Sequence, residues 1–243
     1  MYAIIPEKSN EDIVKILLEH GAYTDTQNKD GKTPLMEAVY EGKKKVVELL
    51  LDHGADVNIR DRWGCPVIRW ILVNEKINKD IVELLLNHGA DVNIQDKHGS
   101  AALHELVTPV CDDERSVENE KEIAELLLSH GADINLQNED GETALMKVAR
   151  RDNKEMVEFL LNHGADVNIS NNEGDTVLTL SKLSISNFIK RYLRNMPSNV
   201  PEVPKKSVVE NTGRRRRVVQ DNTAEDSSSD GESRKTSKRR LEL

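Results

Sequence analysis

Aromatic side chains make up 3% of this 243-residue chain, namely two Trp, four Tyr and two Phe, and only 37% of residues are hydrophobic. A single compact core of this size normally draws on large apolar side chains, so one conventional globular domain is disfavoured. Cysteine is nearly absent as well. Cys65 and Cys111 lie far apart with no Cys-x-x-Cys pair, which excludes a disulfide scaffold and a cysteine zinc site and points to a reducing compartment. No run approaches 18 apolar residues, and Met1 to Ile5 is too short and lacks the basic start of a signal peptide. The expectation is a cytoplasmic or nuclear protein that is neither exported by that route nor inserted in a membrane. Gly-rich phosphate loops, Gly-x-Ser-x-Gly elbows and paired catalytic carboxylates with a local His are missing too, so no enzyme and no cofactor are expected.

What is present is periodic. His-Gly-Ala occurs at His20, His53, His88, His130 and His163, with spacings of 33, 35, 42 and 33 residues. Gly31, Gly64, Gly99, Gly141 and Gly174 repeat the same spacings, each ten residues after a His-Gly-Ala glycine. Two markers in constant phase indicate a repeat array. Each unit carries Asn/Asp-x-x-Gly, a first helix, a short turn, a second helix such as Val46 to Leu51, and then His-Gly-Ala-Asp-Val-Asn. Thr33-Pro34 and Thr143 suit helix starts, where a hydroxyl accepts from free amides and proline forfeits no bond. Glycine after His suits a left-handed residue that ends the second helix.

In period and in Thr33-Pro34-Leu35-Met36, Thr143-Ala144-Leu145-Met146 and Ala101-Ala102-Leu103-His104, the chain resembles the ankyrin-repeat family; Pro66-Val67-Ile68-Arg69 departs most. The resemblance covers roughly residues 1–196 and implies an all-α solenoid of helix-turn-helix units joined by β-hairpin-like loops. The expected division is a partial repeat 1–27, repeats 28–60, 61–95, 96–137 and 138–170, a capping repeat 171–196, and a disordered tail 197–243. Repeats bury their faces on their neighbours, which removes the need for large aromatics. In the 42-residue repeat the extra residues fall in 108–120 and read as an acidic loop containing Asp112, Asp113, Glu114, Glu118 and Glu120; the two residues added to the 35-residue repeat fall around Asn74 to Asp80. In the cap, Ile189 and Leu193 stand at core positions while Lys190 and Arg194 replace apolar ones.

The recurring histidines invite a metal reading, but equivalent atoms of stacked repeats lie about 10 Å apart, too far to share an ion ligated at about 2 Å. They read as helix-end residues, and His104 as a structural hydrogen bonder.

The resemblance implies a non-catalytic adaptor or inhibitor that binds a protein partner through hairpin tips and the concave face of the inner helices. Residues 1–196 hold 23 Lys/Arg against 35 Asp/Glu, so a basic or neutral protein suits these repeats better than nucleic acid. Carried over by position, the candidate protein-binding residues are Tyr40, Arg60, Arg62, Trp63, Arg69, Trp70, Lys97, His98, Arg150 and Arg151, with Gln27, Gln95 and Gln137 also at tips. Both tryptophans fall in one repeat. They read either as interface anchors or as filling in a degenerate repeat. Related acidic ankyrin proteins sequester transcription factors, and intracellular bacteria and large viruses direct such proteins at host targets, so delivery into a host cell is a further expectation if the source is of that kind. A monomer is expected.

The tail holds eleven Lys/Arg against eight Asp/Glu. Arg214, Arg215, Arg216 and Arg217, then Lys238, Arg239 and Arg240, resemble nuclear localisation signals that an import receptor would read, though such runs equally attract nucleic acid, anionic membrane or the acidic repeats. The alternative function is therefore a nuclear or chromatin-associated factor whose tail binds nucleic acid while the repeats recruit proteins. Ser227 and Ser229 lie among Asp226 and Asp230 and resemble acidophilic phosphorylation sites.

Overall fold

A computed structural model describes residues 7–73, 77–108 and 116–195. They belong to one compact unit, residues 1–203. The helices are α1 (Glu7–Glu19), α2 (Pro34–Tyr40), α3 (Lys44–Asp52), α4 (Val67–Leu72), α5 (Lys79–Asn87), α6 (Ala102–Leu106), α7 (Val117–Ser129), α8 (Ala144–Arg150), α9 (Lys154–Asn162), α10 (Val177–Leu180) and α11 (Leu183–Asn195). Among the described residues there is no strand, only isolated bridges Arg60–Pro66 and Ser170–Thr176 that close two hairpins. The even-numbered inner helices pack on one another in order, and so do the outer helices α1, α3, α5, α7 and α9. Each inner helix also packs on the outer helix that follows it. The all-α solenoid read from the sequence is the observed architecture.

Local chemistry explains the regularity. Thr33 Oγ1 accepts from Met36 N at 3.3 Å and Thr143 Oγ1 from Met146 N at 3.4 Å, which starts α2 and α8. The short outer helix α3 buries Val46, Val47, Leu50 and Leu51, and the equivalents in α5 are Ile81, Val82, Leu85 and Leu86. An apolar band this wide lets one helix touch its own inner helix and its neighbours at once. Leaving α3, Gly54 takes φ +83° and donates to Leu51 O, while Ala55 N reaches Leu50 O, a Schellman-type stop that a side chain at Gly54 would oppose. The histidine before it adds a second device: His53 Nδ1 lies 2.8 Å from Leu49 O, and His20, His88, His130 and His163 repeat that contact with their own helices at 2.8–2.9 Å. The recurring histidines are hydrogen-bonded caps.

Two details differ from expectation. α7 begins at Val117 and is 13 residues long, against nine for α3, α5 and α9. Glu118 and Glu120 therefore stand on a helix, not in a loop; Asp112, Asp113 and Glu114 lie outside the described residues, as does part of the 74–80 insertion. The extra turn is held by Glu120, which is 2% exposed and lies 3.4 Å from Arg151. At the end of the array Ile189 is buried as expected, but Leu193 is 39% exposed. The core of α11 is formed by Ile185, Ser186 and Ile189, and Tyr192 Oη donates to Asn162 at the end of α9. Lys190 and Arg194 face solvent.

Candidate protein-binding surface

The hairpin tips are built on a shared hydrogen-bond frame. Asn28, Asp61, Asp96, Asn138 and Asn171 each place Oδ1 on the backbone N–H groups two and four residues ahead; Asp61, for instance, accepts from Trp63 N at 2.8 Å and Cys65 N at 2.9 Å. Either Asn or Asp can accept in this way, so the alternation between them costs the turn nothing. Successive tips are then joined backbone to backbone: Arg62 N to Asp30 O, Lys97 N to Trp63 O, Glu139 N to His98 O and Asn172 N to Asp140 O, all 3.0 Å. That approach excludes side chains at Gly31, Gly99 and Gly141. A Cβ on Gly99, at φ +70°, would stand 2.5 Å from Glu139 N.

Side chains lace the frame further. Gln95 Nε2 donates to Gly99 O at 2.7 Å and to Gln137 O in the next repeat at 2.9 Å, and Gln27 and Gln137 do likewise. Arg60, at the same position, keeps the inter-repeat bond through Nη2 to Gln95 O at 3.0 Å. These tip glutamines are joints between repeats. On the far side, Asn58, Asn93 and Asn135 bridge to the following exit loop in the same double manner; Asn93 Nδ2 donates to Gly131 O and its Oδ1 accepts from Asp133 N, both 2.8 Å. His104 is 1% exposed and links two repeats: Nδ1 accepts from Ala101 N at 3.2 Å, so Nε2 carries the proton and donates to Glu142 O at 3.1 Å. Burial pushes its pKa below the ordinary 6.5, in keeping with a neutral ring.

Against that frame the candidate residues divide. Tyr40, 49% exposed, meets Trp70 edge-on with centroids 5.8 Å apart. Lys32 Nζ sits 3.9 Å from the Trp70 ring centroid, 5.7 Å from that of Tyr40 and 3.8 Å from Glu37. The result is a patch of two rings and a held cation spanning α2 and α4. Trp70 is half-buried against the core and its buried Nε1 meets no acceptor, so it serves packing as well as surface. Trp63 is 44% exposed, with the Arg62 guanidinium 4.8 Å from its ring centroid and bonded to Asp30 at 2.7 Å. Lys97 and His98 are exposed on the adjoining tip.

Arg69 is engaged inside the molecule, its Nε 3.3 Å from Glu105 and 3.7 Å from Asp96. Arg151 is likewise inward, donating to Val107 O at 2.8 Å and facing Glu120. Arg150 pairs with Glu142 at the edge of α8. The geometry thus joins Tyr40 with Trp70 and Arg62 with Trp63, next to Lys97 and His98, and sets Arg69 and Arg151 apart as structural ties. Lys32 was missed by sequence reasoning; a lysine one residue after each tip glycine is not a recurring feature, and only the stacking of α4 on α2 reveals its ring partners. Cys65 is buried, and desolvation pushes its thiol up to about 12, which leaves it unreactive. Arg214 to Arg217, Lys238 to Arg240, Ser227 and Ser229 lie outside the described residues. No group of three or more His, Cys, Asp or Glu among the described residues is arranged to hold a metal, and no described helix is long and apolar enough to cross a membrane.

Comparison with known proteins agrees with this geometry. A family model of three ankyrin repeats matches residues 1–61 and 115–194, and a single ankyrin-repeat model matches residues 76–97. The stretch between the first two matches holds Trp63, Cys65-Pro66 and Trp70. Fowlpox virus (strain NVSL) ankyrin repeat protein FPV031 is 48% identical over 56 residues, 23% of this chain and 16% of its own length. The human 2-5A-dependent ribonuclease is 42% identical over 66 residues, 26% of this chain and 9% of that protein. The chain therefore spans only a small part of these relatives. Among solved structures, the ankyrin repeat domain of Bcl-3, a member of the IkappaB protein family, aligns with a TM-score of 0.64 and 26% identity over 75% of this chain and 78% of that one. With ankyrin-repeat models matching residues 1–61, 76–97 and 115–194, the chain belongs to the ankyrin-repeat family.

Proposed function

We propose that the protein is a non-catalytic interaction module, an adaptor or inhibitor that holds a protein partner against its hairpin edge and concave inner-helix face. An ankyrin-repeat solenoid is generally an interaction scaffold, and this reading locates the contact. The observation that carries it is Trp63. Its position in the other hairpins is filled by Asp30, His98, Asp140 and Glu173, and the bonds that recur from tip to tip use only the backbone there. The fold has no need of an indole at that point, yet it is held exposed with Arg62 on its ring. Exposed Trp, Tyr and Arg are the usual anchors of interfaces. Tyr40, Arg60, Lys97 and His98 extend the surface, and the similarity to a domain of the IkappaB protein family supports a role in holding another protein.

The test is affinity purification of the tagged full chain with crosslinking mass spectrometry, compared with Trp63→Ala and Tyr40→Ala. The expected outcome is loss of the crosslinked partner in both variants; an unchanged partner set would place the interface elsewhere. A second reading rests on the basic runs of the tail: import or nucleic-acid binding through Arg214–Arg217 and Lys238–Arg240. Replacing Arg214–Arg217 with alanine in the full chain should abolish nuclear accumulation or low-salt DNA binding, and unchanged behaviour in both assays would remove this reading.

A further inference from the structure

The hairpin edge is electrically polarised along the array. One residue after each Asx of the frame stand, in order, Lys29, Arg62, Lys97, Glu139 and Asn172; one residue after each tip glycine stand Lys32, Cys65, Ser100, Glu142 and Asp175. The first series is basic over three tips and then acidic and neutral; the second passes from basic through two uncharged residues to acidic. Backbone bonds hold the five tips in one continuous row, so the drift is a spatial gradient and not scatter around the surface. Arg60 adds to the basic end, and Asp140 and Glu173 to the acidic end; Asp61 and Asp96 are buried in the frame. Asp30 is paired with Arg62 at the basic end and buried Glu142 with Arg150 at the acidic end, so the gradient is carried by Lys29, Lys32, Arg60 and Lys97 against Glu139, Asp140, Glu173 and Asp175. Trp63 lies within the basic half, next to Arg62 and bonded through its carbonyl to Lys97. The acidity of the repeat domain is therefore not a property of this edge as a whole.

The geometry points to an extended peptide segment of segregated charge as the ligand of this edge: acidic residues over the first three hairpins, an apolar residue on Trp63, and basic residues over the last two. The inference rests on the proposed binding role of Trp63 and fixes the partner's chemistry and orientation. Four steps of about 10 Å between helix pairs make a row of about 40 Å, matched by about a dozen extended residues. Complementary charge aligned along such a row sets register and rejects reversed partners more than it adds affinity. A peptide of the same composition with mixed charges would meet each half of the edge with as much repulsion as attraction.

The test uses the full chain and three synthetic 14-residue peptides of identical composition, each with one central leucine: acidic block first, basic block first, and charges alternating. Fluorescence anisotropy at low salt reads the affinities. The expected result is that one block order binds at least tenfold more tightly than the alternating peptide, and that Arg62→Glu/Lys97→Glu or, independently, Glu139→Lys/Asp140→Lys brings the ratio close to one. Equal binding of all three peptides, or a block preference untouched by both charge reversals, overturns the polarised edge. If Trp63→Ala weakens all three peptides while neither reversal changes their ranking, the binding surface stands and the polarity fails. If none of the variants changes any affinity, both fail.

Discussion

Each repeat has a loop at both ends of its helix pair, and the two follow opposite rules. The exit loop after an outer helix reads His-Gly-Ala in all five copies, because side chains themselves make its bonds: His Nδ1 to the helix carbonyl, and Asn58, Asn93 and Asn135 to the next loop. The hairpin tip repeats its Asx residue, its glycine, its backbone ladder and the joints of Gln27, Gln95 and Gln137, while the residues between Asx and glycine vary: Lys29-Asp30, Arg62-Trp63, Lys97-His98, Glu139-Asp140 and Asn172-Glu173. Where side chains carry the hydrogen bonds the sequence is repeated; where the backbone carries them, the side chains vary.

The strongest way to break this comparison is to disturb the tip frame itself. Gly99→Ala combines a left-handed φ with a Cβ 2.5 Å from Glu139 N and should lower stability by about 3 kcal/mol in urea unfolding. Gly174, at φ +85°, has open space around its missing Cβ, so Gly174→Ala should lose only about 1 kcal/mol. Equal losses would show that the approach of the next repeat is not what constrains the tip glycine.

His104→Ala removes a buried link between repeats and should cost about 2 kcal/mol. Its sign with pH is fixed by the lowered pKa. Above 6.5 neither state holds the proton; below it the unfolded chain takes up a proton that the folded ring resists, so stability falls as pH drops from 6.5 toward the folded value. The difference in stability between the wild-type chain and His104→Ala should therefore shrink as pH is lowered through that range. A constant difference would mean that the buried ring protonates freely.

Asn93→Ala opens the exit-loop ladder at two bonds and should cost about 1 kcal/mol, partly recovered by solvent at this semi-exposed site. Asp25 offers a natural half-version, since its carboxylate accepts from Asp56 N but has no donor to return. Asn93→Asp should accordingly lose less than Asn93→Ala, as read in thermal melts. Equal losses would assign the main role to the donated bond, which both variants lack.

Much of this was legible in the sequence because periodic hydrogen bonds leave periodic residues. The glycine stops, the Thr33 and Thr143 caps, and the core stripes of α3 and α5 recur at fixed intervals, and each recurs for a local reason. Contacts that depend on how one repeat settles on the next left no such trace. The tip glutamines look like binding residues until Gln95 is seen bonded to two carbonyls, and Arg151 looks like a concave-face cation until α7 gains a turn and brings Glu120 beneath it. In the same way Lys32 gains its place over Trp70 only from the packing of α4 on α2. The degenerate repeat was visible as a departure, but a departure in sequence does not say which of two tryptophans is turned outward.

That distinction makes Trp63→Ala the most direct test. Urea unfolding of the full chain should shift by no more than about 0.5 kcal/mol, as for a surface residue outside the hydrogen-bond frame. A loss of about 2 kcal/mol or more, comparable with His104→Ala, would show that the indole holds the third repeat together and would contradict its assignment to recognition.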